Sequence, residues 1–169
     1  DLITLRRRTK PVTLAAEMRW GLLPPMVHTC PDVAIAGAVR PSHGIAGDAF
    51  DHAIQERRCT VSVVDAMGHG LEASRMANLA VGALRNARRH GADPAASICA
   101  ADDAVLREFG DNRFVTAQVA ELDLDTGRLR IANAGHPLPV VLRQGEPAGT
   151  VACPPGRPIG LGVGTPALT

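Results

Sequence analysis

Hydrophobic residues recur at helical spacing in two consecutive stretches of the chain. The first stretch places the following residues on one helical face: Leu71, Met76, Leu79, Ala80, Ala83, Leu84 and Ala87. This stretch ends in basic residues and Gly91, which is typical of a helix C-terminus. The second stretch begins with Asp93 as N-cap and Pro94 at the first helical position, and it ends at Phe109. The pattern predicts two antiparallel helices joined by a short turn.

Alternating and β-branched positions predict strands on both sides of the helical pair. The predicted strands cover residues 33–39, 50–55, 59–64, 114–122, 128–132 and 139–143. Short polar turns separate the second strand from the third and the fourth from the fifth, so each of these pairs forms a hairpin. Hairpins on either side of two helices are typical of an α+β fold.

Length and composition narrow the class of protein. The 169 residues, 46% hydrophobic and 21% charged, fit one globular domain or most of one. A net charge of +1 gives no field that would attract nucleic acid or a membrane, and three Phe, one Trp and no Tyr leave few rings for stacking on bases. No apolar run approaches about 20 residues, and the N-terminus has no signal pattern. We therefore expect a cytoplasmic protein with neither nucleic acid nor membrane as partner.

The four cysteines are predicted to be reduced thiols. Cys30, Cys59, Cys99 and Cys153 lie far apart without a CxxC pair, which excludes the usual zinc-ribbon and thioredoxin spacings. A cysteine or zinc hydrolase would need Cys59 or Cys99 beside His69, and nothing in the sequence places them together.

Two acidic positions are the main candidates for chemistry. Asp48 lies at the start of a predicted strand, and Asp65 lies where the next predicted strand ends on a glycine-rich turn. If these strands form a hairpin, the two carboxylates approach one another, and such a pair suits a hard divalent ion such as Mg²⁺ or Mn²⁺. Asp65 alone fits a helix cap or an Asx-turn equally well.

The neighbouring polar residues favour supporting roles. For Asp51, a second carboxylate of the first loop, we favour a supporting or solvated position over direct binding of a metal. His69 lies in the glycine-rich turn, where a structural role is favoured over that of a general acid or phosphate contact. The turn itself is not a phosphate-binding P-loop, because it lacks the GK[ST] ending.

Five motifs occur in a fixed order along the chain. They are Arg40-Pro41 with Ala46-Gly47-Asp48-Ala49-Phe50-Asp51, then Val64-Asp65-Ala66-Met67-Gly68-His69-Gly70, Phe114-Val115-Thr116-Ala117, Asn133-Ala134-Gly135-His136-Pro137 and Pro158-Ile159-Gly160-Leu161. In order and spacing they resemble the bacterial SpoIIE-like branch of the metal-dependent type 2C (PPM) Ser/Thr phosphatases. The resemblance extends from about Leu14 to Leu161.

This resemblance implies both a fold and a site. The fold would be an α-β-β-α sandwich of two antiparallel sheets flanked by helices, with two metal ions, Mn²⁺ or Mg²⁺, at one edge. Asp65 matches the acid that bridges both ions, Ala66 would offer its backbone carbonyl, and Asp48 matches a ligand of the second ion. Asp48 and Asp65 are thus the expected catalytic residues, since a water between the ions would attack phosphorus in line.

The chain also departs from the family pattern. Met67 stands where eukaryotic members often carry a candidate general-acid histidine, so His69 does not inherit that role. Two later acids of the family would follow Leu161, and we therefore expect the domain over residues 26–169 to be incomplete at its C-terminal end. Residues 1–25 are expected to form a helical entry or linker from an upstream module. His136 is interpreted as a structural residue of a strand-end turn.

The leading functional hypothesis is hydrolysis of phosphoserine or phosphothreonine. The resemblance suggests a phosphorylated STAS-type anti-sigma-factor antagonist as the partner, and it is compatible with an upstream sensor domain and with a homodimer. The alternative is a catalytically deficient phosphatase fold that acts as a scaffold or docking module.

Overall fold

The structure, a computed structural model, describes residues 23–39, 47–164 and 166–169. Its elements in chain order are β1 Val27–Thr29, β2 Ala34–Ala36, β3 Asp48–Gln55, β4 Arg58–Ala66, α1 Gly70–Arg89, α2 Pro94–Phe109, β5 Val115–Asp123, β6 Leu129–Ala134, β7 Val140–Arg143 and β8 Glu146–Thr150. Every pairing between these strands is antiparallel. The predicted α+β class is therefore confirmed, whereas the prediction for residues 1–25 falls almost entirely outside the described residues.

A four-stranded sheet in the order β3-β4-β5-β6 is the centre of the fold. Both predicted hairpins are present in it, with Gln55 opposite Arg58 and Leu122 opposite Leu129. The β3–β4 turn consists of Glu56 and Arg57, whose φ angles of 48° and 63° are left-handed. Such angles match the right-handed twist of the flanking strands in a two-residue hairpin turn. The hairpin fixes the register of every residue between its two ends.

The two helices cover one face of this sheet. Asp93 caps α2 as predicted, since its carboxylate accepts a hydrogen bond from the Ala96 amide at 2.8 Å. The core between helices and sheet includes Met76, Ile98, Val105 and Val115, all 0% exposed. Leu71, which belongs to the predicted apolar face of the helix, lies on the first turn of α1 and is 62% exposed. Among the described residues, no helix has the length and apolar character needed to cross a membrane.

The peripheral strands differ most from the prediction. The predicted strand over residues 33–39 is shorter, Ala34–Ala36, and it pairs with β1, which the pattern did not predict. The predicted strand near residue 140 is present as β7. Its partner β8, like β1, was not predicted from the sequence. All five residues of β8 are exposed, so no hydrophobic alternation marks this strand in the sequence. The four cysteines are free, as predicted.

The segment after β8 returns to the central sheet. Ile159, fully buried, exchanges two backbone hydrogen bonds of 2.9 Å with Val115 of β5. Asp102 of α2 accepts hydrogen bonds from the Gly160 amide at 2.6 Å and the Val163 amide at 3.1 Å. The end of β4 therefore lies next to β5, α2 and this returning segment.

Candidate functional site

The β3–β4 register places Asp48 directly opposite Asp65. Opposed side chains of an antiparallel pair have Cβ atoms about 4.5–5.5 Å apart, so both carboxylates share one patch. Both residues are exposed, on the face of the sheet away from the helices. The sequence-based expectation that the two acids meet through a hairpin is realised in this register.

The electrostatics of this pair favour a bound cation. Partial burial raises the pKa of the Asp65 carboxyl above its ordinary value, and the negative charge of Asp48 raises it further. Two carboxylates that destabilise each other's charge gain most from a positive ion placed between them. Oxygen donors of this kind are the ligands that Mg²⁺ and Mn²⁺ take.

Gly47 brings the backbone of β4 into this patch. A Cβ at position 47 would lie 2.5 Å from the Ala66 carbonyl oxygen, so only glycine fits there. The Ala66 amide in turn donates a 3.2 Å hydrogen bond to the Gly47 carbonyl. The close approach holds the Ala66 peptide beside the two carboxylates, where the resemblance places a carbonyl ligand.

Thr116 and His136 extend the patch across the sheet. Thr116 of β5 stands opposite Asp65, and its hydroxyl oxygen lies 2.9 Å from His136 Nδ1. The His136 backbone is held by the side chain of Asn133, which is 1% exposed: its Oδ1 accepts from the His136 amide at 2.8 Å, and its Nδ2 donates to the His136 carbonyl at 2.9 Å. Burial lowers the pKa of His136, while the charges of Asp65 and Asp48 act in the opposite direction.

His69 and Asp51 lie apart from the carboxylate pair. His69 is exposed at the N-cap of α1 and makes no side-chain cap hydrogen bond. Asp51 is 4% exposed and faces the helices, where it binds Arg85 at 2.7 Å and Arg88 at 2.8 Å. Asp51 therefore occupies neither of the positions expected from the sequence: it does not support the carboxylate pair, and it is not solvated. Arg85 and Arg88 lie three apart on α1, but nothing in the sequence identifies Asp51 as their partner.

The described residues fit a hard divalent cation in donor type but supply only part of a coordination shell. The donors are the Asp48 and Asp65 carboxylates with the Ala66 carbonyl beside them. Within residues 23–39, 47–164 and 166–169, no group of three or more His, Cys, Asp or Glu side chains is placed to hold one metal ion. His136 is accordingly a neighbour of the carboxylate pair and not a third ligand in a common cluster.

Comparison with known proteins adds a sequence family and a fold. The profile of the family described as Stage II sporulation protein E (SpoIIE) matches residues 55–168, which includes Asp65, Ala66 and His136 but not Asp48. The RsbU and RsbW domains of Rv1364c from Mycobacterium tuberculosis are similar at 27% identity and a TM-score of 0.64, over 77% of this chain and 36% of that chain.

Two further solved structures share the fold. The PP2C phosphatase domain of SpoIIE from Bacillus subtilis, with a fragment of its regulatory domain, matches at 18% identity and a TM-score of 0.63, over 74% of this chain and 37% of that chain. The SiaA-PP2C domain of Pseudomonas aeruginosa matches at 23% identity and a TM-score of 0.60, over 74% and 50%. This chain therefore spans half or less of the length of these relatives.

Proposed function

This chain belongs to the SpoIIE family of PP2C-type phosphatase domains, in the bacterial RsbU/SpoIIE-like branch, and we propose that it hydrolyses phosphoserine or phosphothreonine in a protein substrate. The observation that carries the proposal is the register of β3 and β4, which sets Asp48 opposite Asp65 beside the Ala66 carbonyl. Scattered acids would not serve, because two carboxylates on one patch are needed to hold hard cations next to a phosphoryl group.

We assign the metal ligands to Asp65, Asp48 and the Ala66 carbonyl. Two divalent ions, Mn²⁺ or Mg²⁺, would supply an acidified water and neutralise charge on the phosphoryl oxygens. The role of the chain is to hold the carboxylates in register through the hairpin and to hold the Ala66 peptide against Gly47. The catalytic residues of the proposal are Asp48 and Asp65.

The complete fold is proposed to be the α-β-β-α sandwich of two sheets. Supporting this, a groove of about 330 Å³ lies on the sheet face away from the helices, lined by Val33, Ile35, Cys59, Val61, Ala120 and Leu122. Apolar side chains on this face need a cover, and the β1–β2 hairpin supplies part of one. In the proposed domain organisation, residues 26–169 belong to the phosphatase domain and residues 1–25 connect it to an upstream module.

The proposed substrate is a phosphorylated STAS-type regulatory protein in the cytoplasm. The resemblance to the RsbU/SpoIIE-like branch supports this choice, and it is compatible with an upstream sensor domain and a homodimer. A second candidate is a catalytically deficient scaffold. It is favoured by one observation: the described residues provide two carboxylates and no third acidic ligand in the same cluster.

Hydrolysis of a phosphoserine protein in the presence and absence of Mn²⁺ tests the proposal. We expect release of phosphate that depends on Mn²⁺ and is abolished by Asp65→Asn, with the fold retained by circular dichroism. Asp111→Asn, an exposed acid in the turn after α2, is the matched control and retains activity. Turnover by Asp65→Asn close to that of the wild type would refute the assignment. Binding of the phosphoprotein without any turnover would favour the scaffold.

A further inference from the structure

His136 is fixed beside the carboxylate pair by contacts on both its ring and its backbone. Thr116 contacts ring atom Nδ1 at 2.9 Å, and Thr116 itself stands opposite Asp65. Both backbone polar groups of His136 are hydrogen-bonded to one almost fully buried side chain, that of Asn133. Asn133 Nδ2 also donates to the Cys153 carbonyl at 3.2 Å, so the Asn133 side chain is itself held in place.

The Thr116 hydroxyl is placed to act as a donor to the ring. The Thr116 hydroxyl lies 2.9 Å from His136 Nδ1 but 3.5 Å from the Asp65 carbonyl oxygen. A hydroxyl both donates and accepts, and of the two contacts only the one to Nδ1 has the length of an ordinary hydrogen bond. When Thr116 donates to Nδ1, the neutral ring carries its hydrogen on Nε2, and this is the tautomer that the proposal requires.

The remaining ring nitrogen is left available. Among the described residues, His136 Nε2 has no hydrogen-bond partner, although the ring is only partly exposed and the charges of Asp65 and Asp48 act on it. His136 is also not grouped with these acids as a ligand of a common metal. An oriented N–H donor at the edge of a metal-binding patch suits a phosphoryl oxygen, because bonds from such donors to anions are short and strong.

We propose that His136 is a catalytic residue that donates a hydrogen bond from Nε2 to the phosphoryl group of the substrate. The proposal rests on the phosphatase function proposed above. It replaces the purely structural role that the sequence suggested for this histidine. Thr116 and Asn133 are positioning residues, which orient the ring and hold its backbone.

Two isosteric substitutions separate a catalytic from a structural role. The amide nitrogen of glutamine reaches about the position of Nε2, whereas asparagine is short enough to replace only the Nδ1 side of the ring. Under the proposal, His136→Gln keeps a substantial share of kcat/KM, and His136→Asn loses about 10- to 100-fold, as expected for one hydrogen bond to a charged group. If His136 only forms a structural bond to Thr116, His136→Asn instead keeps more of kcat/KM than His136→Gln.

A control and a second readout complete the test. His90, an exposed residue after α1 whose Nδ1 contacts the Asn86 carbonyl at 2.8 Å, receives the same two substitutions, and neither should change kcat/KM. Thermal unfolding of each variant identifies any loss of fold. Nuclear magnetic resonance of the ¹⁵N-labelled imidazoles, with Mg²⁺ and inorganic phosphate, then reports directly on Nε2.

The outcomes separate this inference from the proposed function. If the wild type hydrolyses phosphoserine and His136→Asn equals it, the inference is wrong while the function stands. If the wild type releases no phosphate, the proposed function fails. The phosphate titration alone then tests whether His136 Nε2 contacts phosphate. A shift of the His136 Nε2 resonance that saturates with phosphate supports the contact. An unchanged Nε2 resonance, or one that moves equally with His90, overturns it.

Discussion

At the scale of single residues, the two faces of β3 carry acids with opposite environments. Asp48 shares an exposed patch with Asp65, where the two negative charges stand opposite each other. Asp51, on the other face, is buried against Arg85 and Arg88. Because side chains of a strand alternate between its two faces, Asp48 lies where a divalent cation can bind and Asp51 lies against the arginine side chains of α1.

The repulsion at the first of these sites predicts a stabilising substitution. The pKa of Asp65 is raised in the folded protein, so folding favours the protonated form and stability falls as pH rises through the titration of this group. Without metal, Asp65→Asn should therefore raise Tm at pH 7, and the difference should disappear near pH 3, where the acid is protonated in both states. Thermal unfolding in chelator at the two pH values measures this. A lower Tm than wild type at pH 7 would contradict it.

The buried pair at the second site predicts a loss of stability. Asp51→Ala removes the carboxylate that binds both Arg85 and Arg88, whose side chains are 23% and 17% exposed. We expect the free energy of unfolding in urea to fall by about 3 kcal/mol. Asp125→Ala is the matched control: Asp125 is 65% exposed in its pair with Arg57, and its loss should cost less than about 1 kcal/mol. Equal effects of the two changes would rule out a special role for the buried pair.

At the scale of elements, the β3–β4 hairpin is the unit that builds the site. Its turn fixes which residues of β3 and β4 face each other. At the other end of the hairpin, the close approach of Gly47 to the Ala66 carbonyl holds the two strands together. A shift of one residue would move Asp48 to the face that carries the helices, because successive side chains of a strand point to opposite sides. The proposed metal site therefore depends on the register of β3 and β4.

Gly47→Ala tests the closed end of the hairpin. A Cβ placed 2.5 Å from the Ala66 carbonyl oxygen must push the two strands apart, and we expect Mn²⁺ affinity to fall more than tenfold in a calorimetric titration. Gly82→Ala is the control, since a Cβ on this exposed residue of α1 meets nothing within 4 Å. That change should leave affinity unchanged and raise stability by about 0.5–1 kcal/mol. Unaltered affinity in Gly47→Ala would show that the close approach does not matter for metal binding.

At the scale of the whole molecule, distant parts of the chain converge behind the site. The segment around Ile159 joins β5 next to the end of β4, and Asp102 ties that segment to α2. Asp102 is 6% exposed, so its two charge-assisted hydrogen bonds are shielded from water.

Asp102→Ala should loosen this junction. The Gly160 and Val163 amides lose their acceptor, and we expect a loss of about 3 kcal/mol in stability with faster hydrogen exchange at both amides. Asp103→Ala, its neighbour with a 71% exposed side chain, should change neither quantity. Unchanged protection of the Gly160 amide in Asp102→Ala would refute this account of the junction.

The sequence predicted the elements that combine strong periodicity with clear ends. The two helices and both hairpins of the central sheet were predicted with boundaries within a few residues, because Asp93, Gly91 and the turns define their ends. Of the site, the pairing of Asp48 with Asp65 followed from the hairpin. The Asn133 contacts to His136 and the Arg85 and Arg88 contacts to Asp51 could not be predicted. The contacts to Asp51 join a strand and a helix 34 and 37 residues apart in the chain. The Asn133 contacts to His136 span three residues, but they depend on the orientation of the Asn133 side chain, which the hydrophobic pattern does not specify.

The placement of Asp48 and Asp65 in one local hairpin also has a kinetic consequence. Such hairpins close in about 1–10 μs, well before contacts between distant segments form, so the two like charges meet early in folding. We expect their repulsion to oppose the closing of this hairpin. A divalent cation that bridges them should accelerate refolding and change the unfolding rate little, as for any interaction already present in the transition state. In stopped-flow refolding, Mg²⁺ should speed the wild type and have no such effect on Asp65→Asn. The same two carboxylates would thus make a bound ion an aid to folding as well as a participant in the proposed reaction.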